Sequence, residues 1–464
     1  MISEIPTEKI LQAAMRSGAD YAEVFVENTR GTTVVFDDRK LDRAATFTDL
    51  GVGIRVISGG KTAYGSTNDL TRKGLLGLAR SVAHAAHAKK TKFPPVVLEE
   101  RRAPSVTTAR RHPFGTELKD KCEIVSRANE VAWKCGEQIR QVRVLYRDVV
   151  RCIWVATSCG SLSSDEQVDT VFTTHVVAGS GKELQTGYEP LGGAMGFEIF
   201  DETPPEEVAE RAATRAVRLI SARQAPAGTM PVIISSEAGG TMIHEAVGHG
   251  LEGDLAGSGM SVYSDKLGER VASELVSVVD DATLQKRRGS FTFDDEGTPA
   301  QRTLLIEGGV LRAYLSDESA FRKYGYPLTG NARRASYSRL PIVRMSNTFI
   351  LPGKEDPSAI LAETRSGLFV RKMGGGQVNT INGDFVFEVQ EGYLVEGGKK
   401  GELVRGATLI GNGPKVLQAI DRVGSDLGFS IGTCGKEGQE VPVSCGQPTL
   451  RIPEITVGGR SKNP

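Results

Sequence analysis

The sequence predicts an α+β protein in two parts: an α/β unit over residues 1–225, then a mainly antiparallel β unit over residues 226–464 that carries one important helix. Three observations lead there. A chain of 464 residues is too long for one ordinary core, so two domains are the first expectation. Its first half alternates helix-spaced and strand-spaced stretches, whereas its second half is rich in glycine and reads mostly as strands. Between them "SARQAPAGTMPVIIS" interrupts a helix with alanine, proline and glycine before an apolar strand begins, which sets the boundary near residue 226.

The elements follow in order. Residues 3 to 17 carry apolar side chains at helical spacing (Ile5, Ile10, Leu11, Met15) and end at Gly18. Alternating stretches come next: "YAEVFVEN", "TTVVFDD" and "GVGIRVISGGKTAYGS", the last with Gly59-Gly60 between two extended runs as a hairpin signal. Leu70 to Ala88 returns to helix, and the proline-rich, basic segment Phe93 to Pro113 reads as a long surface connection. A helix over about Thr116 to Gly136 precedes the strands "VRVLYRDVVRCIWVAT" and "TVFTTHVVAG", and a helix over about Pro204 to Ala222 ends the first unit. In the second unit "MPVIIS" is a buried strand, while "TLLIEGGVLRAYL" and "GDFVFEVQEGYLVEGGKKGELV" are hairpins.

Composition narrows the function classes. Lys+Arg and Asp+Glu both number 57, so the net charge gives no electrostatic reason to expect nucleic acid or an anionic membrane as partner. No apolar run approaches the length of a membrane span, and the N-terminal stretch lacks the layout of a signal peptide. The cysteines (Cys122, Cys135, Cys152, Cys159, Cys434, Cys445) are scattered, without a disulfide framework or a C-x-x-C pair. A protein of a reducing cytoplasm is expected.

One stretch carries chemistry. "TMIHEAVGHGLEGD" holds His244, Glu245 and His249. In the H-E-x-x-H pattern of metalloproteases the histidines stand four apart and share a helix face; here they stand five apart. On a regular helix four steps leave two side chains about 40° apart and five steps leave about 140°. Two geometries reconcile the spacing with a metal. A π-bulge, easiest at Gly248, absorbs the extra residue, or the helix ends at Gly248 and His249 reaches back from the following loop. Two imidazoles need a third protein ligand. Spacing leaves Cys434, Cys445 and many carboxylates open, with Cys434 in "GTCGKEGQ" the best local candidate because glycines flank it. The plainer reading of either cysteine is a small buried apolar residue. The glycine-rich "KMGGGQV" lacks the lysine and hydroxyl of a phosphate loop and instead suits close approach of a peptide backbone.

Taken in order, "HEAVGHGLEGD", "DDEGTPAQRTLLIEGGVLRAYL", "TGNARRASYSRLPIVRMSNTFILPG", "GGGQVNTINGDFVFEVQEGYLVEGG", "VRGATLIGNGPKVL" and "GTCGKEGQEVPVSCGQPTLRIPEITVGG" resemble the TldD side of the TldD/TldE (PmbA) protease family. The likeness covers the second half nearly end to end and the first half more loosely, in stretches such as "ADYAEVFVENTR". It implies a barrel-like C-terminal unit and a metal held by His244, His249 and Cys434, the cysteine matching that of the family's C-G-K-[ED]-G-Q segment. It also implies extended or unfolded peptides as substrate and a dimer, with either a TldE/PmbA-like partner subunit or a second copy of this chain. Cys445 departs from the family, which carries a small or apolar residue there. It stands 11 residues (445 minus 434) beyond Cys434, near enough in a loop to compete for the metal or form a disulfide, and a structural role is expected.

Two imidazoles and a thiolate favour one divalent ion, Zn²⁺ before Fe²⁺, with a position left for water. Glu245, beside a ligand rather than on the metal, is the expected general base for peptide hydrolysis. Two other readings compete. A non-catalytic, metal-stabilised subunit that holds peptides would need a fourth protein ligand, and a deamidase would act on a small amide. Asp254, Asp280, Asp281, Asn331, Arg333, Arg334, Arg344 and Asn347 lie in or near the same blocks without a role that the pattern assigns.

Overall fold

The computed structural model of the protein describes residues 5–16, 18–86 and 96–459. The expected α+β class holds. The first half is built on a seven-stranded sheet whose central strands Lys40–Ser58, Tyr21–Asp37, Ile139–Thr157 and Ser161–Ser180 pair antiparallel. Lys61–Thr67 joins through the predicted hairpin, where Gly59 and Gly60 both take positive φ (54° and 74°), the conformation a two-residue turn of this hand requires. The stretches "YAEVFVEN" and "TTVVFDD" are one strand, Tyr21–Asp37, rather than two. Gly31 does not break it: a Cβ there would lie 2.5 Å from the carbonyl oxygen of Asp148 and 2.7 Å from the Phe47 ring, so glycine is what lets neighbouring strands close over that point.

Helices cover this sheet in two patches. Thr7–Met15 and Arg72–Ala85 bury Ile10, Leu11, Leu75 and Ala79 against Val24, Val52 and Ile54. Leu118–Lys134 and Pro205–Ile220 bury Val125, Ala128, Ala209 and Ala212 against Val144, Phe172 and Val176. Of the predicted first helix, residues 3, 4 and 17 lie outside the described residues, as do 87 and 88 of the second and 93–95 of the surface connection. The described part of that connection is irregular up to the short helical turn Pro113–Gly115, except for Glu99–Glu100, which adds to Ser161–Ser180.

The second half contains a barrel. Gly228–Ile234, Leu450–Gly458, Thr408–Asn412, Asp384–Glu396 and Ser366–Val378 pair in that order, and Ser366–Val378 returns to Gly228–Ile234, in parallel, to close the ring. A second sheet of six strands ends in Asn347–Ile350, Gln439–Gln447 and, at its edge, Gly428–Lys436. One apolar core joins the two: Ile234, Leu368, Phe387, Leu409 and Ile452 from the barrel meet Val278, Ile306, Ile350 and Val443 from the sheet, with Met242, Val247 and Leu251 between them. The halves are joined by buried charge. Arg55 Nη2 lies 2.6 Å from Glu23 and 2.5 Å from Glu296, and Arg334 Nη2 lies 2.6 Å from the other oxygen of Glu23. Such a network adds little net stability, yet any sliding of the halves would strand a buried charge, so it fixes their register.

Candidate metal centre

The segment that follows the barrel strand Gly228–Ile234 begins with two glycines in close quarters. Gly239 takes φ 69°, and Gly240 sits so near the strand Gln439–Gln447 that a Cβ would meet the Gly446 nitrogen at 2.3 Å. The Gly240 N–H donates to the Cys445 carbonyl at 3.0 Å, which docks the start of the helix on that strand. After one α-turn, Thr241–Ile243, the backbone widens into a π-turn over His244–Gly248, and the His249 N–H donates to the carbonyl of His244, five residues back. The first of the two predicted geometries is therefore the one adopted. Gly248 is needed for packing as well, because a Cβ there would fall 1.8 Å from Met345 Sδ.

The widened turn brings the imidazoles together, with ring centroids 5.1 Å apart and planes at 81°. Cys434 arrives from the edge strand of the hairpin Gly428–Lys436/Gln439–Gln447, whose two-residue turn is Glu437 and Gly438, both at positive φ. Its Sγ lies 3.3 Å from His249 Nε2. One donor atom from each of His244, His249 and Cys434 lies within 4.8 Å of the other two, and all three residues are buried. Nitrogen and sulfur ligands of one zinc ion stand about 3.5 Å apart, close to the 3.3 Å between His249 Nε2 and Cys434 Sγ. His244 Nδ1 is buried without a hydrogen-bond partner, a vacancy that fits a metal-facing or water-facing nitrogen. The donor set thus fits a divalent ion. Burial would raise the Cys434 thiol, but hydrogen bonds from His244 and His249 outweigh it and bring its pKa to about 5, so the sulfur is a thiolate at neutral pH.

Glu245, next to His244 in the chain, is half-buried and does not join this cluster. Cys445 does not join either, and its predicted closeness to Cys434 is corrected by the register. Cys445 pairs with Ser430, and Cys434 with Val441. The four-residue offset along the strand sets the cysteines about 13 Å apart, and all six cysteines are free. A disulfide needs Cα atoms within about 7 Å. Burial first, and then the charge of Glu245, hold the Cys445 thiol up near 11, so it is an inert neighbour of that carboxylate.

Residues to which the pattern assigned no role support the cluster. Glu252, fully buried, accepts from His249 Nδ1 at 3.0 Å and meets Lys436 Nζ at 3.1 Å; Lys436 also reaches Asp254 at 2.6 Å. Burial would raise Glu252, but the charges of His249 and Lys436 bring it down to about 2. A carboxylate held on Nδ1 in this way fixes a histidine's orientation and turns Nε2 toward Cys434, where an ion held by the cluster would lie. Arg344 donates to the carbonyls of Cys434 and Gln439, pinning the hairpin. The signal for Glu252 was present, a carboxylate three residues past a histidine. Asp280 accepts from Asn331, from Ser346 and from Thr348, and so holds the segment that carries Arg344 and Met345.

Family models match along the chain: PmbA/TldA metallopeptidase domain 1 over residues 22–86, the central domain over 111–220 and the C-terminal domain over 227–459. The chain belongs to the PmbA/TldD metallopeptidase family. It is 36% identical to the "Metalloprotease TldD homolog" of Haemophilus influenzae over 95% of this chain and 93% of that one. It is 33% identical to the "Zinc metalloprotease TldD homolog" of Saccharolobus solfataricus over 61% of this chain and 63% of that one. The crystal structure of TldE from Thermococcus kodakarensis shares the fold, with a TM-score of 0.76 at 17% identity, covering 97% of this chain and 99% of that one. Among the described residues, no helix of this PmbA/TldD chain is long and apolar enough to cross a membrane.

Proposed function

We propose that this chain is the catalytic subunit of a metal-dependent peptidase in which His244, His249 and Cys434 hold one divalent ion and Glu245 is the general base. The observation that carries the reading is the π-turn, which converts an unproductive spacing into converging imidazoles beside a thiolate. An ion held by these three residues would supply a water of lowered pKa, toward about 7, and polarisation of a peptide carbonyl. Glu245 would be the carboxylate that accepts a water's proton and returns one to the leaving amine. The Cys434 thiolate offsets one of the ion's two charges. With Glu252 on the far side of His249, it favours Zn²⁺, with Fe²⁺ second. Three protein ligands leave a position open, which favours catalysis over the peptide-holding alternative.

The substrate is an extended peptide. Ser366–Val378 pairs with Gly228–Ile234 only through Val370, so beyond it the glycine-rich run up to Val378 keeps one side unpaired. The strand Ser366–Val378 contacts the π-turn His244–Gly248, which sets this edge near the cluster. Main-chain pairing there gives weak sequence preference. Because a TldE shares the fold, we place the chain in a dimer with a TldE/PmbA-like partner subunit, or with a second copy of itself. Its six free cysteines suit a reducing cytoplasm. The division near residue 226 assigns the chemistry to the second unit.

The test is metal content and hydrolysis of an unstructured peptide, measured together for the wild type and for His249→Ala, Cys434→Ala and Glu245→Gln. The first two variants should lose metal and hydrolysis; Glu245→Gln should keep the metal and lose hydrolysis. A fully active Glu245→Gln protein refutes the general base. Metal without hydrolysis in the wild type, with and without an added TldE, favours the holding subunit.

A further inference from the structure

Away from the metal cluster, a cavity of about 430 Å³ opens between the first sheet and the far side of the Cys434 hairpin. Its arginines are mostly accounted for. Arg151 reaches Glu27 at 3.0 Å and Asp295 at 2.8 Å, Arg334 reaches Glu23, and Arg288 reaches Asp169 at 2.9 Å. Arg333 is different. It lies in the cavity wall and is only 7% exposed, yet forms no ion pair among the described residues. Its one hydrogen bond goes from Nη1 to the Met345 carbonyl at 2.8 Å, and its guanidinium stands over the Phe291 ring. Asp295, the acid nearest in effect, is already engaged by Arg151 and by the Arg334 N–H at 2.7 Å. Burial first, with Arg344 and Arg151 adding to it, lowers the pKa of Arg333 to about 10, which still leaves it charged at neutral pH. A buried cation with unused donors facing an open space is costly unless an anion completes it.

We propose that this cavity binds the carboxylate of a small organic monoanion, held by Arg333 with Arg147 at the rim, and that the site is separate from the metal cluster. Arg147 lines the same cavity, is exposed and also forms no ion pair among the described residues. Guanidinium donors in a planar fork match the two oxygens of a carboxylate. The same wall carries the carboxylates of Glu27, Asp49, Asp169, Asp295 and Glu440, which oppose any anion and a phosphate dianion most, so the ligand that Arg333 can hold carries a single negative charge. Phe47, Val149 and Pro442 give the wall an apolar part for the ligand's hydrocarbon body. The site also touches the metal-bearing turn at one remove, because Met345, held through its carbonyl by Arg333, packs its thioether on Gly248.

The experiment is calorimetric titration and thermal unfolding of the full chain with butyrate, its neutral isostere butyramide, and inorganic phosphate. All are run at fixed ionic strength with a chelator present, so that no metal takes the carboxylate. Butyrate should bind saturably and raise Tm, with butyramide and phosphate at least tenfold weaker. Arg333→Met should abolish butyrate binding while matching or exceeding the wild-type Tm without ligand, since it removes an unpaired buried charge. Arg147→Gln should weaken binding severalfold and keeps the test decisive if Arg333→Met fails to fold. No butyrate binding, equal binding of butyramide, tighter binding of phosphate, or undiminished butyrate binding by a folded Arg333→Met protein would each overturn the assignment.

Discussion

Replacing Glu252 with glutamine keeps the side chain's shape and removes its charge from behind His249. The fully buried carboxylate accepts from His249 Nδ1 at 3.0 Å, so the imidazole is held with Nε2 toward Cys434. A glutamine can still accept there, yet its amide can also flip and offer a donor, and the electrostatic support for a metal on the other nitrogen is gone. Loss of such a partner weakens metal binding by about 10- to 100-fold, or about 1.4–2.7 kcal/mol. The fold should suffer less than the deletion of a buried charge usually implies. Lys436, which loses Glu252 at 3.1 Å, keeps Asp254 at 2.6 Å and is not left alone. The cost to metal-free stability should therefore stay at about 1–3 kcal/mol. Chelator competition reads the affinity, and denaturant unfolding of the metal-free protein reads the stability. An affinity within about twofold of wild type would refute the argument, because it would mean that His249 is oriented without Glu252.

Other outcomes follow from the same geometry. Gly248→Ala places a methyl against Met345 Sδ, so it should cost about 1–3 kcal/mol and lower metal content, both measurable on the purified variant. Glu198 accepts backbone N–H groups from Arg110, Arg111 and Gly196; burial opposes these bonds, but they hold its pKa below the usual carboxylate value. Its stabilisation is therefore present above the unfolded pKa of about 4.3 and lost as pH falls through the folded one. Glu198→Gln should cost about 1–3 kcal/mol at neutral pH, and its gap from wild type in urea unfolding should narrow below about pH 4. Lys121→Ala removes the ammonium 2.6 Å from the buried Asp148 carboxylate and should cost about 3–5 kcal/mol, read by urea unfolding at neutral pH.

What the sequence made legible were features with a local cause. The helices of the first half, the Gly59-Gly60 turn and the glycine-paired hairpins each follow from spacing or turn chemistry within a few residues. The histidines five apart were legible as a candidate site, but spacing alone allowed two geometries. The choice depends on Gly248 packing under Met345, about a hundred residues downstream. Barrel closure was not locally legible, because the parallel pairing of Leu368–Val370 with Val232–Ile234 joins strands far apart in the chain. Arg344 and Lys436 stayed hidden for the same reason. Nothing near either residue signals that one holds the Cys434 carbonyl and the other balances Glu252. The closeness of Cys445 to Cys434, though not its expected structural role, was overestimated, because a count of residues in a presumed loop says nothing of a ladder that keeps two cysteines apart.

Cys434 stands 185 residues after His249, on a hairpin in the last stretch of the chain. During synthesis both histidines leave the ribosome long before the thiolate does, and the edge strand that presents it is ordered only when its partner Gln439–Gln447 has also emerged. A nascent chain therefore carries two of the three candidate donors, and no complete cluster, until its last stretch is made. On the proposed peptidase reading, the centre would be complete only once nearly the whole chain has been made, so a partly made chain could not act on its neighbours or on itself.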